Sequence, residues 1–288
     1  MAFFLVVACG KGNSAEPPPP PTPQTPKAPV DGIEVVNQGS EPRRLLRYAP
    51  KKGSVTRFEL ASDGDFSSPG RTMRLPTLVL TTEVTVDDVL PDGSAKIRQT
   101  IVGATVRERK DTTMSVAQLA DLIQAFNGVT IASTLAPNGS VSGSVVDAGK
   151  NIPKAMADHL DSIGKNFEQS AMALPDVPVG VGAVYRFRKT IAQIGIPSTT
   201  VTTIEVTAID GDRVSFRTTT KATGADQKVK AEDGSEVDVR GIGGGGSGSG
   251  TYDLARVVMN GDATSDFHVV MNGNEVKMAS LAKMTVKE

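Results

Sequence analysis

Apolar and polar residues alternate along much of the chain, in segments that are rich in β-branched side chains. The segments with this pattern are 77–86, 199–208, 213–220, 252–259 and 263–271. The pairs Asp92-Gly93 and Asn138-Gly139 lie between such segments, and these dipeptides are the strongest short-range signal of a β-hairpin. A period of two implies strands with one buried and one solvent-exposed face. The pattern therefore predicts antiparallel sheet.

Two segments follow the helical period instead. Ser115 and Gln118 form a capping box before an apolar face, and Asn127-Gly128 ends this predicted helix. A second predicted helix, 153–173, is longer, and its apolar residues recur every three to five positions. They are Ile152, Met156, Leu160, Ile163, Phe167 and Met172. This stripe needs a cover, and we expect the inner face of the sheet to supply it.

The strand segments come in two copies. The matching residues are Gly-x-Val-x-Arg-Phe at 53–58 and 182–187, Glu-Val-Thr at 83–85 and 205–207, and Arg98 and Arg217. A repeat this long indicates two copies of one supersecondary unit rather than a solenoid. We therefore predict an α+β fold, with antiparallel β units in tandem and two amphipathic helices.

The N-terminal part has a different composition. Residues 1–9 are mostly apolar and end at Cys9, the only cysteine of the chain. Residues 10–41 follow as a Pro-rich segment with five consecutive prolines from Pro17 to Pro21. Such a segment cannot bury a core and favours polyproline II, so we predict a flexible tether that acts as a spacer.

The string from Leu5 to Gly10, with a small residue before the cysteine, resembles the lipobox of bacterial lipoproteins. The resemblance implies cleavage between Ala8 and Cys9 and attachment of diacylglycerol to the Cys9 thiol. Eight residues without Lys or Arg are too few for a signal peptide, so we expect a truncated signal. The alternative is a short apolar N-terminus with a buried free cysteine. Gly10 lacks the Asp that retains lipoproteins at the inner membrane, which by family analogy favours the outer membrane, facing the periplasm.

The string Leu-Pro-Asp-Val-Pro-Val-Gly-Val-Gly at 174–182 leads into the second copy. Together with the lipobox, the tether and the Asn-Gly hairpin, it resembles an uncharacterised family of bacterial envelope lipoproteins that carry a domain of unknown function. The resemblance covers most of 45–288 and carries over no catalytic residue.

The layout of strands and helix also resembles, more loosely, the half-barrel lipid carriers of the bacterial envelope. In these a curved antiparallel sheet and an inserted helix enclose an apolar cleft. The resemblance implies a curved or half-barrel-like sheet with the 153–173 helix as a lid. The ligand contacts would be Ile152, Met156, Leu160, Ile163 and Phe167. The alternative is that this helix packs tightly and that these residues are core.

Composition argues against several kinds of site. A net charge of −1 gives no long-range field for nucleic acid, and one cysteine leaves no disulfide framework or thiolate metal site. His159 and His268 are isolated, so we predict no metal site and no cofactor. The absence of Trp and the low aromatic content argue against an aromatic platform for stacking sugars.

Short motif-like strings do not add up to a catalytic site. Ser162 with Lys165, and Ser280 with Lys283, match the Ser-x-x-Lys motif of penicillin-binding enzymes, but the companion motifs are absent. The Gly-rich run 241–250 is predicted to be a flexible connection.

Charged clusters are interpreted in the same way. The acidic pairs Asp63/Asp65, Asp87/Asp88 and Asp210/Asp212 are interpreted as turns rather than calcium sites. A basic cluster follows the tether, at Arg43, Arg44, Arg47, Lys51 and Lys52. We interpret it as a solvated start of the first strand, with contact to anionic lipid or wall polymer as the alternative.

The chain thus divides into a signal peptide with a lipobox (1–9), a tether (10–41), a first β unit with the helices (42–174) and a second β unit (175–288). The expected function is that of a membrane-anchored lipoprotein with a non-enzymatic binding or scaffolding domain in the cell envelope, whose partner is an envelope protein. The alternative is a periplasmic carrier of lipid or another apolar ligand. An envelope hydrolase is the third candidate.

Overall fold

The computed structural model describes residues 32–148, 172–193, 196–230 and 235–287, together with the helical positions Gly164 and Glu168. Cys9 and the Pro-rich part of the tether lie outside the described residues. The same holds for the predicted ligand contacts Ile152, Met156, Leu160, Ile163 and Phe167, for His159 and for most of the predicted 153–173 helix.

The fold is all-β, so the prediction of an α+β fold with two amphipathic helices is wrong. Strands account for 65% of the described residues and helix for 5%. The strands are β1 (Ile33–Asn37), β2 (Val55–Ser68), β3 (Arg71–Arg74), β4 (Thr77–Val89), β5 (Ala95–Arg107), β6 (Thr130–Leu135), β7 (Val141–Asp147), β8 (Val184–Gln193), β9 (Ile196–Asp210), β10 (Arg213–Thr223), β11 (Gln227–Lys230), β12 (Glu236–Asp253), β13 (Val258–Met271) and β14 (Asn274–Lys287). The physical reason is that strand pairing extends through segments without clear alternation, which the sequence analysis interpreted as connections.

The described residues contain one short α-helix, α1 (Val116–Ile123), followed by a 3-10 turn at Gln124–Phe126. Its predicted capping box is confirmed: the Ser115 side chain accepts from the Gln118 backbone N–H, and the Gln118 side chain accepts from the Ser115 N–H. The buried side of α1 packs on the face of β4 and β5.

One antiparallel sheet contains all of these strands. Its order is β1-β8-β9-β10-β12-β13-β14-β2-β4-β5-β6-β7, with β3 on β2 and β11 on β12, and the sheet is open. The second unit lies beside the first because β14, at the end of the chain, pairs with β2. The short strand β1 pairs with β8, so the sheet includes residues that the sequence analysis assigns to the tether.

The two units start in the same way. The Gly53 N–H donates to the Val86 carbonyl and the Gly182 N–H donates to the Val206 carbonyl, both at 2.8 Å. In each unit the next hydrogen bond returns from the second strand to the residue after that glycine, from Val86 to Ser54 and from Val206 to Ala183. The matching strings at 53–58 and 182–187 therefore form the same local structure.

The Gly-rich run 241–250 forms the middle of β12, so the prediction of a flexible connection is wrong. It pairs with β10 on one side and β13 on the other. A Cβ on Gly244 would lie 2.4 Å from the Asp266 carbonyl oxygen, and one on Gly250 would lie 2.6 Å from that of Asn260. Only glycine permits this approach of the two backbones, which explains the run physically. A further Asn-Gly pair, Asn260-Gly261, lies inside β13 and not in a hairpin turn.

The inner face of the sheet, which carries Tyr185, Ile204 and Tyr252, forms the largest apolar cluster. Two extended segments, 44–49 and 172–180, lie across one end of it and contribute the fully buried Leu46, Leu174 and Val179. The segments pair with each other through an antiparallel bridge between Arg44 and Val179.

These segments also join the two units. Tyr48 packs against the second-unit cluster and against the first-unit cluster around Ile97 and Leu135. The Leu174 N–H donates to the Asn138 carbonyl in the turn between β6 and β7, at 2.7 Å. These two segments thus cover one end of the inner face, while the sheet itself stays open.

Much of the basic cluster that follows the tether holds this arrangement. Arg44 donates to the Gly211 carbonyl and lies 3.9 Å from the Asp212 carboxylate. Arg47 donates to the Pro175 carbonyl at 2.8 Å and to Asp176 at 2.6 Å. Lys52 pairs with Asp88 at 2.9 Å. These contacts support a structural role for the cluster.

Candidate functional site

The second Ser-x-x-Lys string does not form a nucleophile and base. Ser280 lies on the inner face, where its hydroxyl is 2.7 Å from that of Ser265. Lys283 is three residues further along β14, and successive side chains of a strand alternate between faces. The exposed Lys283 therefore projects from the outer face, away from Ser280. The string Ser162 to Lys165 falls outside the described residues, apart from Gly164.

The acidic pairs are mostly engaged with cations. Asp63 and Asp65 lie within β2 and not in a turn, which corrects the sequence interpretation. Arg109 binds both oxygens of Asp65 at 2.9 and 3.0 Å and lies 3.4 Å from Asp63, while Arg74 binds Asp65 at 3.2 Å. Burial alone would raise the pKa of Asp65, but these two guanidinium groups outweigh it and hold that pKa below its ordinary value.

The other two acidic pairs differ from each other. Asp87 and Asp88 lie in β4 and not in a turn, which corrects the sequence interpretation, and they bind Arg98 and Lys52. The pair Asp210/Asp212 flanks the turn between β9 and β10, as predicted. Within the described ranges, no group of three or more His, Cys, Asp or Glu side chains could hold a metal ion.

A groove of about 480 Å³ crosses the outer face of the second unit. Two rows of residues, set by the strand register, line it from β8 to β13. We call the first the charged row: Val184, Glu205, Arg217, Ser249 and Asp262, each directly opposite the next. We call the second the hydroxyl row: Thr203, Thr219, Ser247 and Thr264, which is bounded at its β8 end by Arg186.

The shape of the groove follows from the small size of its floor. Where β12 crosses it, both rows have serine, and Gly248 lies between them. A strand of ordinary composition would place large side chains here. On the inner side of β12, the close approach of β13 requires glycine. On its outer side, the small residues of the same strand form the floor of the groove.

The charged row contains one cation between two anions. Glu205 and Arg217 are exposed, and neither side chain makes an ion pair or hydrogen bond to another described residue. Among the described residues, Asp262 accepts one hydrogen bond, a long one from Ser249 at 3.4 Å. In the hydroxyl row, the Ser247 and Thr264 hydroxyls lie 3.3 Å apart. Most of the hydrogen-bonding capacity of the groove is therefore left for water or a ligand.

The equivalent charged residues of the first unit are engaged. Arg57 binds Glu83 at 2.9 Å, and Arg98 binds Asp87 through two hydrogen bonds, one of them from Nε at 3.1 Å. The sequence repeat matches them with Arg186, Glu205 and Arg217, but the strand register places Thr203, not Glu205, opposite Arg186. The same residue types therefore close into pairs in one unit and border an open groove in the other.

A second depression, of about 390 Å³, lies between β2, β13 and β14 and includes Asp65, Asp266, His268 and Lys277. Asp65 is held by the two arginines, and Lys277 pairs with Glu275 at 2.9 Å. His268, exposed on the outer face, leans over Gly243, where a Cβ would lie 2.7 Å from its Nε2. This depression offers fewer free polar groups than the groove.

Sequence reasoning did not find the groove. No residue of the charged row was a candidate, although the repeat had matched Glu83 with Glu205 and Arg98 with Arg217. The repeated charges could have singled out Glu205 and Arg217 as candidates. Which side chains become their neighbours depends on strand order, which the sequence does not reveal.

No protein-family model matches this chain, and no curated protein matches it. In the described part of the chain, no helix combines the length and the apolar character that crossing a bilayer requires.

Proposed function

We propose that this chain is a membrane-anchored, non-enzymatic binding protein of the bacterial cell envelope. A lipid on Cys9 holds it to the membrane, and the outer groove of the second unit binds its ligand. The observation that carries the proposal is the groove, whose charged row has no ion pair among the described residues, while the first-unit residues that the sequence repeat matches with Glu205 and Arg217 are paired.

The spacing of the two carboxylates favours binding over hydrolysis. Glu205 and Asp262 are three strands apart, which places their backbones about 14 Å from each other. Glycosidase carboxylates stand about 5–9.5 Å apart across the bond that they cleave. Here Arg217 and Ser249 occupy the space between the two acids. The groove is therefore suited to holding a ligand.

The anchor and spacer support a place at the membrane surface. Burial of an acyl chain contributes about 0.8 kcal/mol per CH₂, so several chains on Cys9 would hold the protein firmly. The Pro-rich segment, at about 3.1 Å per residue, could extend some tens of ångströms. The groove could then reach material away from the lipid headgroups, with the outer membrane, facing the periplasm, as the proposed location.

The anchor is tested by Cys9→Ser, expressed from a gene with its complete signal sequence. The variant should move from the membrane fraction to the soluble fraction, while wild type should incorporate labelled palmitate. Retention of the variant on membranes, in detergent-free buffer, would contradict the lipid anchor.

The groove is tested by site-specific cross-linking from a new cysteine, because the only native one is the acylated Cys9. Ser247→Cys places a thiol in the groove, and Thr85→Cys places one on the outer face of the first unit. After attachment of a photoreactive maleimide in intact envelopes, Ser247→Cys should capture an envelope component that Thr85→Cys does not. Equal capture from both positions would argue against the groove.

A second candidate function, the carrier of an apolar ligand, is favoured by the inner face. Apolar clusters around Phe267 and around Phe58 flank a half-exposed band of small residues that includes Ala263 and Ser265. Native mass spectrometry of protein purified from its own envelope tests it. A stoichiometric adduct of lipid mass beyond the anchor would support the carrier, and a clean mass would contradict it.

A further inference from the structure

We infer that the ligand of the groove is a glycan, an extended chain of sugar residues that is recognised through its hydroxyl groups. The inference rests on the proposed function, because it names the ligand class of the same groove. It concerns the two rows described above and no other part of the molecule.

The main chain of the groove is not available for pairing. Strands β9, β10 and β12, which form most of its floor, each have a hydrogen-bonded neighbour on both sides. An extended peptide binds a sheet by adding to a free edge, where unpaired N–H and C=O groups remain. The groove crosses the interior of the sheet, so a peptide would find side chains alone.

The side chains of the groove suit neither an apolar ligand nor a polyanion. Val184, at one end of the charged row, is its one large apolar residue. Arg217 stands between Glu205 and Asp262, and Lys283 lies directly opposite Asp262 on β14, so cations and anions alternate and no cluster of cations forms along the row. A nucleic acid or an acidic polymer needs a cluster of cations. A lipid chain needs a continuous apolar surface.

The remaining chemistry matches a polyhydroxylated chain. Carboxylates accept hydrogen bonds, a guanidinium donates up to five, and serine and threonine hydroxyls do both. Sugar hydroxyls are donors and acceptors in close sequence along a chain. The charged row supplies strong acceptors and one strong donor, while the hydroxyl row offers groups that rotate to fit. This mode needs no aromatic stacking, in agreement with the low aromatic content.

The geometry also fits a chain laid across the strands. Neighbouring strands are about 4.8 Å apart, which is close to the length of one sugar residue in an extended glycan. From β8 to β13 the groove spans four such intervals, about 19 Å. The two rows are two residues apart along each strand, about 7 Å, so they could contact opposite edges of one chain.

An open and hydrated groove predicts weak binding to one segment and stronger retention on a polymer. Exposed polar groups exchange hydrogen bonds with water for hydrogen bonds with the ligand, so each contact contributes little net free energy. Several anchored copies bound to one polymer would add avidity. The protein would thereby link the membrane to a glycan layer without modifying it.

The test uses full-length Cys9→Ser protein, which lacks the lipid and keeps the whole groove. Saturation-transfer-difference NMR would be recorded with chitopentaose, a neutral β-1,4-linked oligosaccharide, and with tetralysine and a heparin hexasaccharide. We expect transfer to chitopentaose alone. Arg217→Gln should raise its dissociation constant about tenfold and Thr219→Val about threefold, because the first loses a charge-assisted hydrogen bond and the second a neutral one.

The matched control is Arg98→Gln, the equivalent change in the first unit, which should leave chitopentaose binding unchanged. Binding that Arg217→Gln and Arg98→Gln leave equally intact would overturn the assignment to the groove. Transfer to heparin that is lost in Arg217→Gln, or to tetralysine that is lost in Glu205→Gln, with none to chitopentaose, would overturn recognition through sugar hydroxyls while the proposed binding function stands. If the cross-linking above also captures nothing, the proposed function falls with it.

Discussion

The outer faces of the two β units carry equivalent charges and use them differently. In the first unit Arg57 pairs with Glu83, and Arg98 pairs with Asp87. In the second unit Glu205 and Arg217 face each other across β9 and β10 without an ion pair among the described residues. One unit thus has a closed, structural surface, while the other presents free groups.

Strand register and neighbouring side chains explain the difference. Arg57 is directly opposite Glu83, whereas the equivalent Arg186 is opposite Thr203. Arg98 donates to Asp87 on the neighbouring strand β4, whereas Arg217, which lies beside the Gly-rich run of β12, makes no ion pair with the directly opposite Glu205. The second unit therefore combines unpaired charges with a low floor, and both are needed to make a groove.

The largest effect is expected from a side chain placed at Gly244, where the backbones of β12 and β13 approach each other closely. Gly244→Val should abolish folding or destabilise the protein by more than about 3 kcal/mol, because its Cβ would meet backbone and not a movable side chain. The measurement is urea unfolding followed by circular dichroism. Ser247→Val, on the outer side of the same strand, is the control and should stay folded. A stable Gly244→Val would mean that the two strands can separate.

The second prediction concerns the junction between the units. Tyr48, Tyr185 and Tyr252, the only tyrosines of the chain, gather there, with the Tyr185 and Tyr252 hydroxyls 3.5 Å apart. Burial, the largest cause, raises the pKa of all three phenols. Their contribution to stability is therefore complete below the unfolded pKa of about 10 and is lost above it, by about 1.4 kcal/mol per pH unit for each.

Tyrosinate absorbance at 295 nm checks this prediction directly, since the chain has no Trp. It should appear together with the loss of the circular dichroism signal during an alkaline titration. Tyrosinate that forms near pH 10 while the sheet stays intact would show that the junction is open to water. The halves of the sheet would then be joined less tightly than their clusters indicate.

The third prediction compares one acid from each unit in the same row of the sheet. Asp65 binds Arg109 and Arg74, whereas Asp266 has no ion pair among the described residues. The lowered pKa of Asp65 means that its stabilisation is present above the unfolded value of about 3.9 and is lost as the pH falls through the folded value.

Asp65→Asn should therefore cost about 1–3 kcal/mol at pH 7 and much less at pH 3. Asp266→Asn should be close to neutral at both values. Thermal unfolding at the two pH values measures the difference. An equal loss in both variants would mean that the Arg109 network adds nothing specific to the first unit.

The sequence patterns predicted local structure correctly but failed where contacts between distant parts of the chain determine the structure. The alternation in 77–86 and the capping box at Ser115 follow from spacing alone, and both elements exist as strand and helix. The Gly-rich run could not be recognised as a strand, because glycine carries no side chain to alternate. The groove depends on which strands are neighbours, so Arg217 and Asp262, 45 positions apart, could not be connected from the sequence.

The smallest expected effects concern Arg98 and Arg217, which the sequence repeat matches with each other. Variants of the two residues test stability and ligand binding separately. Arg98→Gln removes an exposed ion pair to Asp87 and should lower the free energy of unfolding only slightly, without changing ligand binding. Arg217→Gln should leave the free energy of unfolding unchanged and weaken ligand binding. Urea unfolding and ligand titration of both variants give four values to compare. If both variants lost stability equally, Arg217 would have a structural partner, and the second unit would be as closed as the first.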